Sequence, residues 1–135
     1  MGDCIFCKIA SGTIPVPSVY EDENFVAFID LHPLNPGHTL VIPKEHFESV
    51  IDMPRETFAG LMDVVYRVGQ KVHRAYPSAR LGILVKGFDV PHAHVHLIPQ
   101  HTIGDIVSGK YGEHLPPEAS REDRESMATR IKNIS

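Results

Sequence analysis

The chain has no tryptophan and only two cysteines among its 135 residues. Two cysteines cannot form the disulfide framework of a small secreted domain. A chain this long has no need of one, since it can bury roughly two thirds of its unfolded surface. Positive charge is also scarce: 13 Lys and Arg face 17 Asp and Glu, for a net charge of −4 with histidine neutral. That balance argues against a nucleic-acid groove working by counterion release, but a small anionic ligand held by local dipoles remains compatible with it. No apolar run approaches the ~20 residues of a membrane helix. Residues 1–10, with Asp3 and Lys8 around a short apolar stretch, do not read as a signal peptide. A cytoplasmic protein with reduced cysteines is therefore expected, with neither membrane nor nucleic acid as a partner. No repeat, low-complexity tract or linker divides the chain. One domain is expected over 1–135, with a core over about 1–102, a mobile loop over 103–117 and a terminal helix over 118–134.

What the chain has in abundance is histidine, nine in all. The elements that carry them can be read from spacing. Asp3 is a candidate N-cap for one or two helical turns carrying Ile5, Phe6 and Ile9, broken by Gly12 and Pro15. Residues 18–21 and 25–29 read as strands joined by Asp22-Glu23-Asn24, and 39–42 as a strand closed by Pro43. Residues 32–37 form a loop. The longest helix is expected to start from Asp52, with Pro54 in its first turn. Phe58, Leu61, Met62, Val65, Val68, Val72 and Tyr76 would be its single buried stripe, and Pro77 its end. Residues 81–85 read as a continuous apolar strand, 87–91 as a bend and 92–99 as a further strand. Residues 119–134 read as a polar helix with Met127, Ile131 and Ile134 on one side. Strands joined mainly by hairpins around one long helix predict an α+β domain, an antiparallel sheet packed on one face by helix.

The segment Pro91-His92-Ala93-His94-Val95-His96-Leu97-Ile98-Pro99 breaks the rules for a core strand. Alternation places His92, His94 and His96 on one face, roughly 7 Å apart, and Ala93, Val95 and Leu97 on the other. Three imidazoles are costly to bury without partners. Two chemistries use such a row: nucleophilic attack by a neutral imidazole whose neighbours set its tautomer and donate protons, or ligation of a catalytic zinc by all three. Spacing alone does not separate them. Cys4 and Cys7 form a Cys-x-x-Cys pair, but a redox role would need a preceding βαβ unit that is not there. The pair otherwise reads as a zinc half-site, with His46 available as a further ligand, or as two small buried hydrophobes.

Four blocks together resemble the histidine-triad (HIT) superfamily of nucleotide hydrolases and transferases, in its Hint-like branch with a Cys-x-x-Cys opening. They are Asp3-Cys4-Ile5-Phe6-Cys7-Lys8-Ile9, Ala27-Phe28-Ile29-Asp30, Pro36-Gly37-His38-Thr39-Leu40-Val41-Ile42-Pro43-Lys44 and the histidine segment. The resemblance implies a HIT fold, a roughly five-stranded antiparallel sheet with one long and one C-terminal helix, and a homodimer whose sheets join. It implies a purine nucleotide such as AMP or GMP as ligand and hydrolysis at its α-phosphate. His94 would be the nucleophile, forming a nucleotidyl-histidine, and His96 its assistant in proton transfer. Asp30 would meet the ribose hydroxyls. Ile5, Phe6, Ile9, Ile14, Phe28 and Leu31 would line the base pocket, and Asp89 and Val90 the phosphate bend. Cys4, Cys7, His46 and His92 would hold a structural zinc, with no metal required for the chemistry. A nucleotide-binding or partner-binding module with vestigial catalysis is the alternative. It is motivated by Gly87-Phe88-Asp89-Val90, where many relatives have Gly-Gln-x-Val, and by the lack of the phosphate-directed asparagine near Lys86. No C-terminal tryptophan is present to recognise a leaving group. His38 is expected to play no more than a structural or pocket-edge part, and His32, His73, His101 and His114 to be solvated.

Overall fold

The computed structural model describes residues 3–107 and 115–135. Five antiparallel strands, β1 (Ser18–Glu21), β2 (Phe25–Ile29), β3 (Thr39–Pro43), β4 (Arg80–Leu84) and β5 (Val95–Gln100), form one sheet in the order β1-β2-β3-β5-β4. The helices are α1 (Ile5–Ala10), α2 (Arg55–Ala75), the four-residue α3 (Gly104–Val107) and α4 (Arg121–Lys132). None of them is long and apolar enough to cross a membrane.

Alternation along the strands divides the core in two. Phe25, Ala27, Ile29, Val41, Val95 and Leu97 face α2 and α4, where they meet Leu61, Val64, Val65, Val68, Val72, Ala128 and Ile131. Val26, Phe28, Leu40 and Ile42 face the other way and pack on Phe6 and Ile9 of α1. Both faces of β2 and β3 are thus covered, and every residue of these strands is buried. The expected sheet with helix on one face therefore needs correcting: α1, although only six residues long, closes the second face.

Other boundaries move for local reasons. Cys4, not Asp3, caps α1, its Sγ accepting from Cys7 N at 3.3 Å. Asp52 ends a 3₁₀ turn (Val50–Asp52) capped by Ser49 and does not start α2. A residue before proline is pushed out of the helical region; Met53 is extended, so α2 begins only after Pro54. Its stripe runs through Val64 and Ala75, while Phe58 is exposed. Tyr76 follows α2 and closes over Gly37, whose φ of +92° and 2.5 Å clearance to the tyrosine ring admit no side chain. The apolar segment expected at 81–85 is not a buried strand. β4 lies at the sheet edge, with Ile83 and Val85 exposed. α3 falls within the segment expected to be a mobile loop. Asp105 fixes its start, accepting from His101 N, Thr102 N and Asn35 Nδ2. Residues 108–114 of that segment, His114 among them, lie outside the described residues.

The strand at 92–99 is also shorter than expected. Pro91 has no N–H to offer, His92 N turns back to Val90 O at 2.8 Å, and Ala93 N bonds Phe47 O at 2.7 Å. His92 and His94 therefore lie on an arm leading into β5, and only His96 belongs to the ladder, opposite Leu40 and Leu84.

Candidate active site and metal centre

Because the arm leaves the sheet, His92 parts from the other two histidines. Its Nε2–H donates to Pro43 O at 2.9 Å, leaving Nδ1 bare. Burial pushes the ring's pKa down, which keeps it neutral. That Nδ1 lies 3.3 Å from Cys4 Sγ, 3.5 Å from Cys7 Sγ and 3.2 Å from His46 Nδ1, and His46 Nδ1 is 3.2 Å from Cys7 Sγ. Tetrahedral zinc with its usual bond lengths has ligand–ligand edges of about 3.3–3.8 Å, the shortest between nitrogens and the longest between sulfurs. Two thiols and two ring nitrogens at these separations match that figure, and the Pro43 carbonyl orients His92 as an outer-sphere acceptor does around such sites. Burial and the neighbouring Cys4 push the Cys7 thiol up, a cost that a divalent cation at the centre would reverse.

Register assembles a second cluster. Phe28 pairs with Leu40 across β2 and β3, and Asp30 N bonds His38 O at 2.9 Å just beyond, so Asp30 and His38 are cross-strand neighbours on the face of Phe28 and Leu40. Leu40 pairs with His96, which brings His38 diagonally against it. Leu34 N–H donates to His38 Nδ1 at 2.9 Å, so His38 carries its proton on Nε2. Nε2–H then faces His96 Nδ1 at 2.9 Å, with Asp30 Oδ2 at 3.3 Å. His96 consequently accepts at Nδ1 and holds its own proton on Nε2. His94 has the opposite form: Nδ1–H donates to His92 O at 2.7 Å, leaving Nε2 as a bare lone pair. The two rings stand edge to face, their centroids 5.0 Å apart. A buried electron-pair donor thus sits beside a buried proton donor.

Burial drives His38 down to about 4, outweighing the adjacent Asp30 carboxylate, so the ring is neutral at pH 7. The unfolded chain takes up this proton near pH 6.5 but the folded protein only near 4, so stability is full above pH 6.5 and falls as pH drops between these values. Urea unfolding at pH 7 and pH 4 is expected to show wild type losing about 3 kcal/mol more than His38→Gln. Equal losses would show that His38 is not held neutral.

Asp89 stands in front of the pair. Its Oδ1 is 3.1 Å from His94 Nε2, without the alignment of a hydrogen bond, and its Oδ2 is 3.6 Å from His96 Nε2 and 3.5 Å from Lys86 Nζ. Burial alone would raise the carboxyl, but the Nε2–H of His96 and the Lys86 ammonium facing it hold it well below the usual carboxylate range.

Residues 11–103 match the family model described as the HIT domain. The chain belongs to the HIT domain family. An uncharacterized HIT-like protein of Methanocaldococcus jannaschii is 40% identical over 114 residues, 82% of this chain and 88% of that protein. The adenosine 5′-monophosphoramidase of Schizosaccharomyces pombe is 35% identical over 102 residues, 72% of this chain and 74% of that protein. A zinc-bound histidine-triad protein from Mycobacterium smegmatis superposes with a TM-score of 0.77 at 33% identity, covering 97% of this chain and 91% of that one.

Within this HIT domain, most of the residues expected to bind nucleotide gather on the histidine side of the sheet. Phe6 sets its ring edge-on to His94 and to Phe28, with centroids 5.1 and 5.7 Å apart. Ile9, Ile14 and Val90 join the same cluster. Ile5 is not part of it; it is 43% exposed and borders a shallow cavity of about 500 Å³ together with Asp89 and Val90. Leu31 is half-buried, its carbonyl accepting from Ala119 N. Asp30 is partly committed: Oδ1 accepts from His32 N at 2.8 Å and Oδ2 faces His38, although each oxygen keeps a lone pair to spare. Sequence reasoning undervalued His38, which is fully buried. Extending the alternation of Leu40 and Ile42 back two residues would have placed it on the histidine face. His32 is also not simply solvated, since its Nδ1 lies 2.9 Å from Pro116 O. His73 and His101 are exposed as expected.

Proposed function

We propose that the protein cleaves purine nucleotide derivatives such as nucleoside phosphoramidates at the α-phosphorus, through His94. The observation that carries this reading is the pair of opposite tautomers, a bare Nε2 on His94 beside an Nε2–H on His96. The His94 lone pair attacks phosphorus and forms a P–N bond. The bond to the leaving amine breaks, and the amine departs with the proton from His96 Nε2. Water then attacks the nucleotidyl-histidine, giving its proton back to His96. The electron pair of the breaking P–N bond returns to His94, and the products are a nucleoside monophosphate and the free amine. Asp30 and His38 hold His96 in the donating form. Asp30's spare lone pairs are suited to ribose hydroxyls, and Phe6, Ile9, Ile14, Phe28 and Leu31 to a purine.

The reading includes zinc on Cys4, Cys7, His46 and His92, a closed four-ligand set that ties α1 to β3 and to the arm before β5, and so supplies stability rather than chemistry. Because His92 Nδ1 turns into this set, the three histidines do not converge on one metal. The reading also includes a homodimer. The unpaired edge of β4, with Ile83, Val85 and Tyr66 exposed beside it, is suited to a second copy.

Brief incubation with an adenosine phosphoramidate, acid quench and intact-mass spectrometry are expected to reveal an adenylyl adduct on wild type and none on His94→Ala. Turnover without His94 would overturn the assignment. The position of Asp89 over His94 favours a second reading, a nucleotide-binding module with vestigial catalysis. Binding of AMP with neither adduct nor turnover would select it.

A further inference from the structure

The nucleophilic nitrogen of His94 already faces an anion. Asp89 Oδ1 lies 3.1 Å from it, inside the distance at which a phosphorus centre would have to approach. His94 is only 3% exposed, and its Nε2 has no hydrogen-bond partner. A bare ring nitrogen and a carboxylate oxygen at this distance repel each other, so the lone pair is open to an entering group only when Asp89 moves aside. Among the described residues, the titratable groups facing this space are His94 and His96 from the arm and β5, Lys86 and Asp89 from the segment before the arm, and Asp30 and His38 behind His96. Of the two carboxylates, Asp89 is the one at the nucleophile.

The backbone that carries Asp89 is built to move aside. Gly87 has a φ of +84° and nothing within 4 Å of where a side chain would be, and Phe88 is wholly exposed. Swinging Asp89 outward therefore breaks no packing on its N-terminal side, and Val90, half-buried against the cluster around Phe6, anchors the other end.

We propose that Asp89 sets the charge preference of the phosphate subsite, favouring a phosphorus centre with one negative charge over one with two. This rests on the nucleotide reading above. An α-phosphate in amide or ester linkage bears a single charge, whereas the second ionisation of a phosphate monoester lies near pH 6, so the product monophosphate is mostly dianionic at neutral pH. A carboxylate 3.1 Å from the attacking nitrogen repels an entering dianion more strongly than a monoanion, even with its outer side open to solvent. The same residue thus admits substrate and expels product. Asp89 acts on the charge of the ligand and takes no proton in the reaction.

The test compares two ligands on the metal-loaded protein at pH 7.5: AMP, and its methyl ester, which is a monoanion with a poor leaving group. Calorimetry is expected to show wild type binding the ester more tightly than AMP, with a ratio at least about tenfold larger than in Asp89→Asn, the change arising from tighter AMP binding in the variant. Asp89→Ser provides the same comparison should the asparagine variant fold poorly. Product inhibition by AMP should strengthen in parallel. A ratio unchanged in both variants while both ligands bind would overturn the role of Asp89 and leave the nucleotide reading intact. Failure of either nucleotide to bind any of the proteins would overturn both.

Discussion

Replacing His94 by alanine is expected to lower turnover of a nucleoside phosphoramidate by about 10⁴–10⁶, the range seen when an enzyme loses its only nucleophile. His96→Ala should cost less, about 10²–10⁴, the usual contribution of a general acid. The asymmetry follows from the tautomers. Without His94 the proposed covalent intermediate cannot form, and among the described residues no other bare ring nitrogen faces the same space. Without His96 the attack still proceeds, but the amine departs unprotonated. Good leaving groups should therefore rescue His96→Ala and leave His94→Ala inactive. Steady-state rates on a series of phosphoramidates with leaving amines of graded basicity check this. A rescue common to both variants, or equal losses in both, would contradict the division of labour. Phe6 loses one ring neighbour in His94→Ala, so AMP binding and thermal unfolding should accompany the kinetics to show that the pocket persists.

The contrast between the two histidines was only partly legible in the sequence. Alternation marked His92, His94 and His96 as a functional row, and this holds for the side of the sheet His94 and His96 occupy. It did not reveal that the row is bent. The bend comes from Pro91 and from the Ala93 N to Phe47 O bond, a contact 46 residues away that no local pattern encodes. The same limit explains His38. Its value comes from a diagonal cross-strand position opposite His96, and it becomes visible only when the pairings of β2, β3 and β5 are known together. Strands were easy to find as apolar runs, but β4 shows what that signal leaves out: its continuous apolar run does not tell that the strand sits on an edge with Ile83 exposed. Helix caps erred by a residue or more wherever a better capping residue lay upstream of an extended Met53 or a thiol did the work of a carboxylate, as at Cys4.

Asp89 stands in the segment where many relatives have Gly-Gln-x-Val. A carboxylate beside a phosphate pocket is repulsive unless it points away, and here it points in. Lys86 and the Nε2–H of His96 offset its partial burial, which keeps it ionised. In the proposed reaction each cycle starts with an anion against His94 Nε2. Substrate binding must therefore exchange one negative charge for another, which costs little for a monoanion.

Removing the proposed zinc is the second change expected to have a large effect. The α1 helix has six residues, far below the ~12–15 at which an isolated helix holds itself together, so its place depends on Phe6, Ile9 and the four-donor set. Cys7→Ser removes one thiolate, and without a cation the remaining donors face each other at 3.2–3.3 Å with nothing between them. Metal analysis should find about one zinc per chain in wild type and little in Cys7→Ser. The melting temperature should fall by about 10 °C or more, as for a loss of several kcal/mol in a domain of this size. Excess chelator should lower the wild-type melting temperature to the same value and leave Cys7→Ser where it is. Assayed below that temperature, the variant should still form the His94 adduct, because the metal ties α1 down and takes no part in the attack. Activity that vanished with chelator while Cys7→Ser kept its metal would place the ion on the catalytic histidines and reverse the assignment of His92.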